Sequence, residues 1–413
     1  MYKLYRKVSL LSGRFVGGLL LLLLCLSIQA QEQIRIFKEG SSTRFTTSEL
    51  LFSDDGTTLS VGDSTYNTTQ LDSITVVHTV TVTYNGDEAT VDLGHAPDVT
   101  FTTDGAHVSI ISTNTKNELE FVLQGESTQG SLTYEGSLKC KFYLNGLNLK
   151  SNRGAAIDIQ CGKRVSLILV SDTENFLADA AGGEQKAALY CKGHLEIEGS
   201  GSLTVTGNTK HGIASKEYMQ LKKSTGSITV NKAISDAMHV GQYFLMSGGT
   251  LTLSGQAGDG LQVEKVTLSD DVTPDPTKED NGQMFIRGGS INITANREIV
   301  KGIKVPGDLT VSGGTFTIVA SGNGSRGIQV TGNMLVNEDD NTTLMQIRAT
   351  GTTYEDEDTE DESRCMGIKV KGNLTVNAGK IQVANTGKYS YGIKIDGTYT
   401  KSANATVQAN IKN

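Results

Sequence analysis

Gly302-Ile303-Lys304-Val305 is followed 25 residues later by Gly327-Ile328-Gln329-Val330. Both read as a small residue, an aliphatic, a variable residue and another aliphatic. Working outward, the pattern returns at Gly212-Ile213-Ala214-Ser215, Ala237-Met238-His239-Val240, Gly260-Leu261-Gln262-Val263, Gly367-Ile368-Lys369-Val370 and Gly392-Ile393-Lys394-Ile395. From first copy to last the intervals are 25, 23, 42, 25, 40 and 25 residues. A period near 25, lengthened twice, is an internal repeat. A second column of turn-like glycines, Gly226, Gly249, Gly289, Gly314 and Gly379, is spaced 23, 40, 25 and 65, and lengthens where the first column does.

Between these marks apolar and polar residues alternate with period two, as in Leu251-Thr252-Leu253, Ile291-Asn292-Ile293, Phe316-Thr317-Ile318 and Leu374-Thr375-Val376. That is strand patterning, and the Gly, Ser, Thr and Asn between supply turns. One coil of this size cannot bury an apolar face alone, whereas stacked coils share a continuous core. The expected fold is all-β: a right-handed parallel β-helix of about ten coils, stacked about 4.8 Å apart, with a small N-terminal β element.

The chain opens with Lys3, Arg6, Lys7 and Arg14, an apolar run at Leu19 to Leu24, and a small residue, Ala30, before Gln31. This reads as a signal peptide over residues 1–30, too short for a comfortable membrane span. A lipoprotein cut at Cys25 is the weaker reading, because that site wants a small residue before the cysteine. Export to the periplasm, cell surface or medium is expected, with no transmembrane span. Removing residues 1–30 takes the formal charge from −8 to −12, which argues against a nucleic-acid partner. Cys161 and Cys191 fall where neighbouring coils would carry them, open to pairing in an oxidising compartment or to stacking as small core residues.

Residues 31–85 differ in texture and read as a small N-terminal β segment. Residues 86–413 read as the β-helix, with insertions at about 269–283 and 354–363. The second insertion holds Glu355-Asp356-Glu357-Asp358, a block of like charge that reads as a solvated loop.

If the two aliphatics of each copy point inward, the residue between them points out. Stacking then builds one polar column from Ala214, His239, Gln262, Lys304, Gln329, Lys369 and Lys394. The residue before the small one forms another: His211, Asp236, Asp259, Lys301, Arg326, Met366 and Tyr391. Rungs about 4.8 Å apart match the rise of an extended glycan, and the basic part suits uronic-acid carboxylates. The carbohydrate-binding candidates are therefore His211, His239, Gln262, Lys301, Lys304, Arg326, Gln329, Lys369 and Lys394. Polar ladder positions that merely stay solvated are the competing account. Asp236 and Asp259 sit at equivalent places on successive coils, with Glu264 close behind, and are the candidate Ca²⁺ ligands; solvated turn aspartates are the alternative. The six histidines show no close metal-ligand spacing, and there is no phosphate loop, zinc motif or G-x-S-x-G elbow. Trp is absent, which excludes a tryptophan platform.

Ser171-Asp172-Thr173-Glu174-Asn175-Phe176-Leu177-Ala178-Asp179, then Ala187-Ala188-Leu189-Tyr190, Ser235-Asp236-Ala237-Met238-His239 and Gly258-Asp259-Gly260-Leu261-Gln262-Val263-Glu264, occur in an order and spacing that resembles the secreted carbohydrate-binding β-helix family of pectate-lyase-like fold, associated with cellulose and acidic plant polysaccharides. The resemblance covers about residues 80–400. It implies an exported noncatalytic binder of acidic or cellulosic polysaccharide that uses calcium. In that family an Asp commonly precedes Gly-Ile. This chain keeps it at Asp236 and Asp259 but has Lys301, Arg326, Met366 and Tyr391 later, so the implied calcium sites are confined to the first half. A Ca²⁺-dependent polysaccharide lyase is the first rival, although an Arg-x-Pro-x-x-Arg signature is absent. A surface adhesin using the rod as a spacer is the second.

Overall fold

The computed structural model describes residues 33–39, 41–46, 50–265, 282–339, 342–355 and 362–412. The expected signal peptide, residues 269–281 of the first insertion and residues 356–361 of the second lie outside that set. The chain is a parallel β-solenoid of about 11 turns, close to the ten expected from the repeat. Its strands form three stacked faces.

The quoted pattern makes the first face. Ile157–Cys161, Ala187–Cys191, His211–Ser215, Met238–Val240, Leu261–Val263, Lys301–Val305, Arg326–Val330, Met366–Val370 and Tyr391–Ile395 follow one another in a single parallel ladder. The register aligns Ile213 with Met238, Met238 with Leu261, Leu261 with Ile303, Ile303 with Ile328 and Ile328 with Ile368. Each of these side chains is fully buried. The other two faces stack the same way, for example Phe121 on Phe142 with ring centroids 4.6 Å apart. Nearly all the apolar interior is therefore one continuous core along the rod. The small residue of the repeat has a packing cause. A Cβ added at Gly327 would lie 2.6 Å from the Gly367 carbonyl oxygen and 2.8 Å from Ile347 Cγ2.

The cysteines settle as core residues. Cys140, Cys161, Cys191 and Cys365 are buried free thiols. Cys191 lies opposite Ile159, two residues out of register with Cys161, so the sequence-level option of a Cys161–Cys191 bridge is not taken. The second insertion leaves the rod on a short antiparallel stem, Thr353–Glu355 against Glu362–Arg364.

The N-terminal element has its own core of Ile34, Ile36, Leu59 and Val61. Gln33–Lys38 pairs antiparallel with Ser41–Thr46 and with the first half of Ser73–Asn85. The second half of that strand, from His78, pairs parallel with Leu119–Ser127, so the rod starts within the segment read as separate. The two parts are also tied by charge. Glu120, on the rod and 2% exposed at its side chain, contacts Arg35 and lies 2.8 Å from Arg44. Lys141 approaches it at 3.6 Å. Burial pushes the Glu120 pKa up, but Arg44, Arg35 and Lys141 outweigh it and hold the carboxyl below its ordinary value.

Because the folded-state pKa is depressed, this contribution is present above the ordinary carboxylate range and is lost as pH falls through the folded value. Glu120→Gln removes it at neutral pH and strands two arginines, which costs about 3–5 kcal/mol where a buried pair is broken. Hydrogen exchange should show Gln33–Lys38 and Ser41–Thr46 losing protection in Glu120→Gln at pH 7, and in the parent chain only in acid. Unchanged protection in the variant would mean that the element is held by its strand pairing alone.

Candidate functional site

The outward rung of the first face is built as the repeat requires. Ala214 faces His239, then Gln262, Lys304, Gln329, Lys369, Lys394 and Lys412 follow in strict register. Toward the N-terminus the column continues through Tyr190 and Asp158.

Two of the clefts along this face hold candidate residues. The lower one, about 540 Å³, is lined by Lys186, Tyr190, His211, His239, Gln242 and Glu264 among others. The upper one, about 560 Å³, is lined by Arg326, Arg364, Lys369, Lys371, Lys394 and Lys412, together with Tyr391 and Asp396. The candidates thus divide: His211 and His239 below, Arg326, Gln329, Lys369 and Lys394 above. Gln262, Lys301 and Lys304 lie on the rungs between. Arg364 and Lys371 escaped the sequence reading because they stand outside the repeat columns, and Lys412 because its rung, Asn410-Ile411-Lys412-Asn413, lacks the small residue and the second aliphatic. Arg364 and Lys412 both donate to the Tyr391 hydroxyl, at 2.6 and 3.0 Å; Lys412 and Arg364 lower its pKa.

The second column is not the exposed row that alternation suggested. His211, Asp236 and Asp259 are buried, and so is Lys369 in the first column. The aspartates are turned into the coil stack. Asp236 Oδ1 accepts the Asp259 backbone N–H at 2.8 Å, and Asp259 Oδ1 accepts that of Lys301 at 2.7 Å. Asp308, Asn333 and Asn373 do the same elsewhere, each accepting an N–H from the next coil at 2.7–2.9 Å. Lys369 is tied to Asp396. Lys304 Nζ reaches Gln262 Oε1 at 2.9 Å and Asp259 Oδ2 at 3.4 Å.

Below these, His239 Nδ1 bonds Asp236 Oδ2 at 2.8 Å and its Nε2 lies 3.3 Å from Glu264 Oε2. Burial opposes a charge on His239, but Asp236 and Glu264 raise its pKa. Its neighbour His211 stacks on it with centroids 4.3 Å apart. Burial, then the charge of His239, pushes the His211 pKa down to about 4. Asp259 is raised, mainly by burial.

Residues 104–405 match the family described as carbohydrate-binding domain-containing protein. The chain belongs to that family. A relative with the same description from Acetivibrio thermocellus is 30% identical over 95 residues, which is 21% of this chain and 32% of the relative. The match thus spans about a third of that relative's length. Among solved structures, a polysaccharide lyase-like protein from C. thermocellum, studied as a gadolinium derivative, superposes with a TM-score of 0.50 at 20% identity. It covers 65% of this chain and 99% of that one. That likeness concerns the fold.

The donor set does not suit the calcium that the resemblance implied. Calcium takes about six to eight oxygen ligands. Asp236 and Asp259 each commit one oxygen to a backbone N–H, and the half-exposed Glu264 meets His239 with one oxygen and Gln262 with the other. Asp236, Asp259 and Glu264 do not converge as one ligand group among the described residues. In this family member the two aspartates bind the coils together.

It follows that Asp259→Ala should lose about 1–3 kcal/mol, because the half-buried Lys301 N–H loses its acceptor, while Asp259→Asn keeps an acceptor and loses less. Urea unfolding should give the same losses in EDTA and in millimolar calcium. A loss seen only with calcium would restore the metal role.

Proposed function

We propose that the protein is an exported, noncatalytic polysaccharide binder that lays an acidic glycan along the first face of the rod, anchored in the upper cleft. The observation that carries this reading is the stack of Lys369, Lys394 and Lys412 on successive rungs, flanked by Arg326, Arg364 and Lys371. Three lysines on neighbouring rungs repel one another, and a chain of carboxylates at similar spacing relieves that repulsion while gaining charge-assisted hydrogen bonds. Asp396 neutralises part of the cluster through Lys369 and, at 3.9 Å, Lys394, and Glu362 pairs with Arg364 at 2.6 Å. The cluster keeps a cationic excess.

Membership of the carbohydrate-binding domain family supports a glycan as partner. The upper cleft favours an acidic glycan over a neutral cellulosic one. Tyr218 and Tyr243 stack on each other at 4.8 Å, and Tyr218 on His194 at 4.0 Å, so much of their ring surface is taken by neighbouring rings. The basic, apolar-run start of the chain supports export. Binding is expected without calcium held by Asp236 and Asp259, since both carboxylates serve the backbone.

The test is retention on polygalacturonate and on cellulose, with and without EDTA, while absorbance is followed for unsaturated products. Retention on polygalacturonate, weakened by salt and indifferent to EDTA, is expected. Lys394→Glu and Arg326→Glu should each weaken it by roughly tenfold, the equivalent of about 1.4 kcal/mol. Unsaturated product would make the protein a lyase. Equal retention on cellulose with the reversals silent would move the site off this cleft.

A further inference from the structure

We infer that His211, Asp236 and His239 form a binding site for a divalent transition-metal ion, with zinc as the best match. Their ligand atoms lie within 4.8 Å of one another, and no other such group of His, Cys, Asp and Glu occurs among the described residues. Two imidazoles and one carboxylate are a donor set for zinc or its neighbours, not for calcium. A tetrahedral ion with bonds of about 2.0–2.1 Å holds its ligands about 3.3 Å apart. Asp236 Oδ2 lies 2.8 Å from His239 Nδ1 and 3.5 Å from His211 Nδ1. Small side-chain adjustments therefore open the pocket for an ion.

An independent observation points the same way. His211 Nδ1 is buried and has no hydrogen-bond partner, on a side chain only 5% exposed. An orphaned buried nitrogen costs about 1–3 kcal/mol, and its nearby carboxylate is already occupied with His239. A metal at the centre of the group satisfies all three.

The surroundings supply what a metal site needs outside its ligands. The second oxygen of Asp236 is fixed by the Asp259 N–H, and His239 Nε2 faces Glu264. Such carboxylate–imidazole pairs orient ligating histidines. His211 opens the strand His211–Ser215, and Asp236 and His239 come from the turn and the strand, Met238–Val240, of the next coil. His211 and His239 both line the lower cleft, which gives an ion a route to the group. This inference does not rest on the glycan reading.

The experiment uses untagged protein, stripped with chelator and dialysed against zinc, with bound metal counted by mass spectrometry and thermal midpoints recorded with zinc, nickel or calcium. One equivalent of zinc is expected, with a midpoint raised by zinc and unmoved by calcium. His239→Ala and His211→Ala should abolish uptake, Glu264→Gln should weaken it by roughly tenfold or more, and His194→Ala should leave it intact. No zinc retained by the parent chain overturns the site, as does uptake unchanged in His239→Ala. If His211→Ala fails to fold, the half-exposed Glu264 and the cleft-facing His239 decide the matter. Polygalacturonate retention measured on the same samples separates the two readings, because its loss with zinc uptake intact counts only against the glycan.

Discussion

Everything in this molecule follows from the parallel register between one coil and the next. Each strand gives its backbone hydrogen bonds to the coils above and below, and the side-chain period of two fixes which residues face in. A slip of one residue would turn Ile303 and Ile328 outward and bring Lys304 and Gln329 into the core. With one continuous apolar interior, that error is prohibitive at every level of the rod. The small residue of the repeat belongs to the same constraint, because the coil above approaches Gly327 too closely for a Cβ.

Register also decides the chemistry of the surface. It places chemically similar residues directly over one another, whether or not their charges agree. Two unit charges one rung apart interact by about 3–4 kcal/mol at an effective dielectric near 20. The protein answers this in two ways. Lys304 is shared between Gln262 and Asp259, and Lys369 is held by Asp396. Lys394 and Lys412 receive less compensation, and the upper cleft is left with unbalanced positive charge.

The fold was legible in the sequence because a repeat reports itself many times over: two columns agreeing on two insertions leave little freedom. The outward row from Ala214 to Lys394 was equally legible, since period two is all it needs. Depth was not. His211, Asp236 and Asp259 precede the small residue, where the coil turns, and whether a turn position is covered depends on its neighbours in space. The approach of His211 to His239 was hidden for a related reason. They are 28 residues apart in sequence, in different columns, and become neighbours only because a coil returns over itself. Searching for closely spaced histidines misses such a pair. The tie between Glu120 and Arg35 or Arg44 left no periodic trace at all, since it joins a unique segment to the first coils.

Asp236 and Asp259 show how one structural device yields different sites. In both, Oδ1 accepts the next coil's N–H and is held constant by the needs of stacking. The other oxygen is free to meet whatever the outward rungs present. For Asp236 that is His239, with His211 beside it; for Asp259 it is Lys304. Asp236 thus meets an imidazole on its own rung, whereas Asp259 meets a lysine one rung further on, while the backbone hydrogen bonds of the two stay the same. From His239 to Lys369 is four rungs, about 19 Å. Over that length the face passes from imidazoles to fixed cations, while the parallel register beneath it is kept.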